Sequence, residues 1–282
     1  MTSMDMTKAV HWRKTKNRIF FGIIVILTVV CVLPLFMILG YVVYRALPGF
    51  SMGFFTRLPA PTGIPGGMAN AIVGTLEIVA VASIISLPFG LGAGLFLSET
   101  RAVKIQSFIR FLTDVLSGTP SIVIGLLAYA LIVAPMGNFS GFAGSIALAI
   151  LMIPTIARTS EQVLRLVPVS LREAALALGA TRVQVWMRVV IPTALSGILT
   201  GFLLAVSRAL GETAPLLFTA LGNQFWAKSF FAPMAALPLQ VFVYAISPYK
   251  DWQQEAWAGA LTLVLIALVL NVLARLIGRT KR

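Results

Sequence analysis

The sequence predicts an all-α membrane protein with six transmembrane helices. Of its 282 residues, 59% are hydrophobic and only 11% charged, with a mean hydropathy of +0.95, which leaves too little polar surface to cover a soluble domain. Apolar runs recur at the length a bilayer demands, roughly 20 residues. Between two of them lies a charged, helix-patterned stretch, residues 170–192, carrying Arg172, Glu173, Arg182 and Arg188, which belongs in water.

The chain opens on a basic stretch, residues 1–18, followed by an apolar run at 19–44. That run exceeds the roughly 7–15 residues of a signal-peptide core and ends on no clear A-x-A site, so it is expected to remain as the first span. Residues 71–97 form the second span despite Glu77, which lies close enough to the outer end either to snorkel or to serve a proton relay. In the same span Gly90 and Gly94 make a small-xxx-small pair suited to close helix approach. With Gly92 they also evoke a dinucleotide loop, but no strand precedes them. Residues 115–157 are too long for one crossing, and Pro135, Gly137, Asn138 and Gly141 divide them into the third and fourth spans. Within the third, Gly118-Thr119-Pro120-Ser121 reads as a helix restart, with Thr119 or Gly118 as cap and Pro120 in the first turn. Such a restart could offer N–H groups to an anion or be a simple kink between packed helices.

The fifth span, residues 193–221, contains Arg208 and Glu212, and the sixth covers residues 256–274. Residues 230–246 are apolar enough for a seventh, but they hold Pro233 and Pro238. A seventh crossing would also place the basic tail outside. A re-entrant or interfacial element on the outer side is expected there, since broken backbone at membrane depth survives where protein satisfies it.

Alternating the six spans sorts the cations. One side receives Lys8, Arg13, Lys14, Lys16 and Arg18, then Arg101, Lys104 and Arg110, then Arg158, Arg165, Arg172, Arg182 and Arg188, and finally Arg275, Arg279, Lys281 and Arg282. The other side holds Arg45, Arg57, Lys228 and Lys250. By the positive-inside rule both termini and the 170–192 loop are cytoplasmic. The net charge of +13 is then a record of topology, and no nucleic-acid partner is expected.

The loop itself carries two helix-start patterns, Ser170 with Glu173 and Thr181 with Gln184, each spaced as a capping box. Gly179 lies between them, where a helix stop favours positive φ. A short helix, a sharp turn and a second helix ended by Pro192 are expected. With Cys31 the only cysteine and His11 the only histidine, there are no parts for a zinc site, a disulfide framework or a Ser/His/Asp or Cys/His catalytic group. No catalytic or metal-binding residue is therefore assigned. No G-x-x-x-x-G-K-[ST] occurs, so any nucleotide energy must enter through a partner.

At this point a resemblance becomes specific. Glu173-Ala174-Ala175, three residues, Gly179, nine residues, then Val189-Val190-Ile191-Pro192 resembles the EAA motif of binding-protein-dependent ABC importer permeases, with Val189 and Ile191 in place of the motif's Ile and Leu. That resemblance implies the ABC type I importer permease fold over residues 71–277. It also implies that the cytoplasmic loop 158–192 couples to an ATPase through Ser170, Glu173, Ala174, Ala175, Ala177 and Gly179. The alanines would give a slim helix that a groove admits closely, while Glu173 shapes the cap. Residues 278–282 remain as a cytoplasmic tail.

A second constellation, Ser207 to Pro215 (SRALGETAP), lies in the fifth span. Arg208 and Glu212, four apart on a helix, would share a face and pair. Buried charge in hydrocarbon normally faces a bundle interior or a wet path, and a guanidinium suits a tetrahedral oxyanion. The residues alone leave an anion path and a structural ion pair equally open. The run GETAPLLFTALGNQFW, together with LSGTPSIVIGL at residues 116–126, resembles the phosphate branch of the permease family. On that likeness Arg208, Glu212, Thr213, Thr119 and Ser121 would line the anion pathway. The implied partners are a second homologous, PstC-like permease subunit, two cytoplasmic ATPase subunits that bind the ATP, an extracytoplasmic phosphate-binding protein and phosphate itself, in a bacterial inner membrane. This chain would hold no cofactor of its own. A sulfate or molybdate permease, or a proton-coupled secondary transporter, is the alternative.

Overall fold

The computed structural model describes residues 3–100 and 102–279. Arg101 and residues 280–282 of the expected tail lie outside the described residues, as do the side chains of residues 3–11, 15 and 277–279. The described chain is mostly helical: α1 (Ser3–Ala46), α2 (Ala69–Glu99), α3 (Val103–Gly118), α4 (Ser121–Met136), α5 (Gly141–Arg165), α6 (Val169–Ala177), α7 (Arg182–Ala209), α8 (Leu237–Ala245) and α9 (Lys250–Arg279), with longer connections at 47–68 and 210–236 that hold the one-turn helices Met52–Thr56 and Ala214–Leu217. Five helices are long and apolar enough to cross a membrane, and α3 with α4 supplies a sixth crossing if that bent pair is one span.

Helix α5 is the centre of the bundle. Two thirds (67%) of its most apolar stretch is buried, against none for α1, which is exposed along most of residues 12–45 whose side chains are described and packs on α9 through an edge-to-face contact of Tyr41 with Trp257 at 5.4 Å. On one side of α5 sits α2, brought close by the predicted small-residue pair. A methyl group at Gly90 would come 2.7 Å from Ile156 Cβ, and one at Gly94 would come 2.6 Å from Ser160 Cβ. On the other side α7 repeats the device, with Gly197 against Val163 and Gly201 against Thr159. Lipid tails are as apolar as leucine, so such packing, rather than hydrophobicity, joins helices in a bilayer. One hydrogen bond reinforces the first seam: Ser145 Oγ donates to Ile78 O at 2.9 Å.

Three expectations about helix limits are corrected. The third span does not run straight from residue 115, because α3 and α4 meet at 104° around Thr119-Pro120. At about 1.5 Å per residue α4 reaches about 24 Å, short of a ~30 Å hydrocarbon core, so the crossing needs part of α3. Pro120 is itself the cap position of α4, with no side-chain cap, and Thr119 ends α3, one residue from the expected register, its hydroxyl donating to Val115 O of the last turn. The second correction is that Pro192 does not end a helix. The five residues Trp186–Val190 form a π-turn, in which Ile191 N–H donates to Trp186 O, and α7 continues to Ala209. Pro192 has no N–H and crowds the carbonyl four residues back, and widening the preceding turn relieves both problems. Tyr129–Val133 does the same before Pro135.

The third correction is that the fifth span stops at Ala209 and not at residue 221. Gly211 is a poor helix former, and Pro215 cannot donate to Gly211 O. Beyond it, residues 218–236 are irregular and tied to the bundle: Ser140 N–H donates to Thr219 O at 2.9 Å, Asn70 Nδ2 to Asn223 O at 2.8 Å, and Leu237 N–H to Thr75 Oγ1 at 2.6 Å. The only helix in the 230–246 region, α8, has 9 residues, too few to cross, as expected of a satisfied non-crossing element.

The close α2–α5 seam gives a paired test. Gly94→Val should cost about 1–3 kcal/mol by overpacking and lower the thermal midpoint in detergent. Gly92→Val, where a methyl meets nothing within 4 Å, should leave it unchanged. Equal midpoints for the two variants would remove the seam from the account.

Candidate functional site

The polar hairpin between α5 and α7 is the first candidate. Its second helix starts as predicted: Thr181 Oγ1 accepts from Gln184 N–H at 3.3 Å, and Gln184 Oε1 accepts from Thr181 N–H at 2.8 Å. Gly179 stands between the helices at φ +85°, where a side chain would be strained. The first predicted capping box does not form. Helix α6 begins at Val169 behind Pro168, with no side-chain cap, so Ser170 lies inside its first turn and Glu173 is exposed with no part in a cap. Proline needs no N–H at that end, and its fixed φ starts the helix without a hydroxyl.

The alanine face also divides. Ala175, with Ala180 after the turn, packs inward on a buried cluster of Leu164, Val167, Val185, Val190, Ala194 and Ile198, while Ala174 and Ala177 are exposed. Around the outward face Leu166, Val169, Leu178, Val183 and Met187 are all exposed, Leu178 at 90%. Exposed apolar side chains on a hairpin that also carries Arg172, Glu173, Arg182 and Arg188 make it a candidate contact surface.

At the other end of α7 is the second candidate. Arg208 is in the last turn of the helix and Glu212 in the following loop, not mid-helix as expected, yet Arg208 Nε lies 3.5 Å from Glu212 Oε1. The glutamate side chain is mostly buried (17% exposed) and the arginine mostly open (57%). Leu151, Met152, Thr155, Ala205 and Ala209 line the crevice beside them, whose volume of about 10 Å³ accommodates no more than one water. An ion as large as a tetrahedral oxyanion would therefore meet the open face of Arg208, with α5 and α7 as one wall.

The remaining predicted residues do not join the pair. Thr119 Oγ1 donates back to Val115 O at 2.7 Å, within its own helix. Ser121 is the first residue of α4 and half-buried, and Thr213 sits in the loop after Glu212. No hydrogen bond joins these three side chains to Arg208 or Glu212 among the described residues. The elements themselves do meet: α4 crosses the Pro215 turn so closely that a methyl at Gly125 would come 2.7 Å from Pro215 Cα. Glu77 is exposed on α2, on the same face as Val73 and Leu76.

Three further carboxylates escaped the sequence reading. Glu161 on α5 pairs with Arg110 at 2.7 Å and Arg165 at 2.9 Å, Asp114 on α3 pairs with Arg158, and Glu99 at the end of α2 pairs with Arg172 of α6 at 2.6 Å. Only Glu161 and Arg165, four apart on a helix, carried a local signal. The other pairs join helices distant in sequence.

Comparison with known proteins adds a family and a fold. Residues 86–282 match the family described as binding-protein-dependent transport system inner membrane component. The chain is 44% identical to the phosphate transport system permease protein PstA of Yersinia pestis over 96% of its own length and 92% of that protein's. It is also 44% identical to the PstA of Haemophilus influenzae, covering 96% and 97%. Among solved structures, a bacterial alginate ABC transporter in complex with its periplasmic protein superposes with a TM-score of 0.69 at 13% identity, over 95% of this chain and 96% of that one, a likeness of fold alone.

The two cap patterns predict opposite responses in hydrogen exchange. Thr181→Ala removes a formed cap worth about 1 kcal/mol, so amides 183–185 should exchange about fivefold faster. Ser170→Ala should leave the amides of α6 unchanged. Faster exchange in α6 after Ser170→Ala would restore the first capping box.

Proposed function

The chain belongs to the family of binding-protein-dependent transport system inner membrane components, and on that premise we propose that it is one permease subunit of an ATP-driven phosphate importer. The observation that carries the reading is 44% identity across 96% of the chain to permeases named for phosphate transport. In this reading the subunit forms half of the pathway through a bacterial inner membrane, with both termini in the cytoplasm. A second, PstC-like permease supplies the other half. Two cytoplasmic ATPase subunits bind and hydrolyse the ATP, since this sequence has no P-loop, and an extracytoplasmic phosphate-binding protein delivers the ion.

The geometry supports a division of labour. The outward face of the α6 hairpin, with Ala174, Ala177 and Leu178, is the surface offered to an ATPase groove. Gly179 sets the exit angle of that helix. Because α7 runs unbroken from Arg182 to Ala209, displacement of the hairpin reaches Arg208 without a joint. The half-open guanidinium offers two parallel donors to a passing tetrahedral oxyanion. Glu212 balances its charge when the path is empty. Thr119, Ser121 and Thr213 stand at the ends of the elements that flank this point; the hydroxyls of Ser121 and Thr213 offer further donors, and that of Thr119 would do so only by releasing Val115 O. Arg208 selects for anions in general, so the distinction of phosphate from sulfate or molybdate belongs to the binding protein.

Two measurements check the proposal. Phosphate-loaded binding protein should stimulate ATP hydrolysis by the reconstituted complex, and sulfate- or molybdate-loaded protein should not. Stimulation by sulfate or molybdate instead would assign another oxyanion. Arg208→Ala should reduce phosphate uptake to background while the permease pair still co-purifies with its ATPase. A variant complex that dissociates would make the Arg208–Glu212 contact structural.

A further inference from the structure

Chain connectivity links α6 directly only to α5 and α7. Helix α2, which forms the opposite wall of the seam with α5, receives no covalent link from the hairpin. Its contact with α6 is made instead by Glu99, its last residue. One oxygen of Glu99 lies 2.6 Å from Arg172 Nη1 in α6, and the other accepts from Trp186 Nε1 at the start of the π-turn in α7, at 3.3 Å. Arg172 in turn donates from Nη2 to Leu164 O, near the end of α5, at 2.7 Å. Both charged side chains are largely buried, 15% and 18% exposed. Among the described residues this is the one ion pair that joins α6 to α2.

We infer that Glu99 is a positioning residue that carries movement of the α6 hairpin into α2, through its ion pair with Arg172 and its hydrogen bond from Trp186. The inference rests on the coupling role proposed for the hairpin. Packing alone would hold α6 in place, since Ala175 and Ala180 already sit on the apolar cluster beneath it together with Leu91 and Leu95 of α2. Apolar contacts slide, whereas a largely buried carboxylate held by an ion pair to one helix and a hydrogen bond from another resists sliding in both. With Glu99 engaged, α2, α5, α6 and α7 meet at one point on the inner side. A push on the hairpin then moves both glycine-clasped seams of α5 together. Without the charge, α6 and α7 move while α2 lags, and the ATPase turns over without opening the path.

The test uses the full importer in proteoliposomes, with the second permease, the ATPase pair and phosphate-loaded binding protein. Phosphate taken up and ADP released are measured in the same vesicles. Glu99→Gln keeps the size of the side chain and an acceptor for Trp186 but removes the charge. It should leave basal ATP hydrolysis and complex yield unchanged and lower phosphate taken up per ADP released by about tenfold, within the range of coupling between linked sites. Arg172→Gln should do the same, and the double variant should be no worse than either single one, because both remove one interaction. Trp186→Phe, which removes only the N–H donor, should lower the ratio by a smaller factor, and it serves if Glu99→Gln fails to assemble. A ratio equal to wild type in Glu99→Gln and Trp186→Phe, or uptake and hydrolysis that fall in step, overturns the assignment of Glu99. Gly179→Val separates that outcome from failure of the hairpin reading. If it lowers the ratio while Glu99→Gln does not, only the Glu99 assignment falls, and if it leaves the ratio at wild type, the coupling role of the hairpin falls with it.

Discussion

The structure depends on how closely its helices approach α5. A bilayer supplies no hydrophobic force to press one apolar helix against another, so the bundle relies on van der Waals contact at short range. Gly90 and Gly94 on one side and Gly197 and Gly201 on the other let α2 and α7 reach Ile156, Ser160, Thr159 and Val163. These contacts lie within two turns of α5, so both seams close at the same level. Polar groups in that layer, such as Ser160, are buried with the seam. Everything peripheral is more exposed: α1 lies outside the bundle, and the amphipathic α3 is held to α5 by Arg110 with Glu161 and by Asp114 with Arg158.

Two π-turns set the lengths of the crossing elements. Proline at residue 135 or 192 would break a strict α-helix, and in both places the preceding turn widens to five residues; past Pro192 the helix runs on to Ala209, and past Pro135 it ends at Met136. The consequence is largest in α7. The hairpin and the Arg208–Glu212 pair become the two ends of one rod, about 40 Å apart at 1.5 Å per residue. In the proposed mechanism this rod carries the motion, and the ion pairs at its inner end decide which other helices follow.

Much of this was legible in the sequence, for reasons that can be stated residue by residue. The spans appear as uncharged runs, the Gly90–Gly94 seam as a small-residue pair, and the Thr181 cap and Gly179 turn as local patterns with fixed spacing. The misreadings came where a local rule met a tertiary solution. Ser170 and Glu173 have capping-box spacing, but Pro168 starts α6 earlier and leaves them on its surface. Pro192 reads as a stop because nothing in the sequence announces a π-turn. Arg208 and Glu212 do meet as the four-residue spacing suggests, yet through the last turn of α7 and a loop, since Gly211 and Pro215 end the helix between them. The Glu99–Arg172 and Asp114–Arg158 pairs could not be read at all, because each joins residues far apart in sequence whose meeting depends on the packing around α5.

The account stands on α7 moving as a single rod with the hairpin at its inner end. Spin labels on cysteines placed at Leu178, in the hairpin turn, and at Leu204, one turn before Arg208, would measure this directly, with the native Cys31 replaced by serine; both labelled positions are exposed. Comparing the assembled importer with and without ATP by pulsed electron resonance, the account predicts one unchanged distance between these labels while both shift relative to a label on the second permease. A distance that changes by several ångströms on ATP binding would show a joint between the hairpin turn and Arg208 and contradict it.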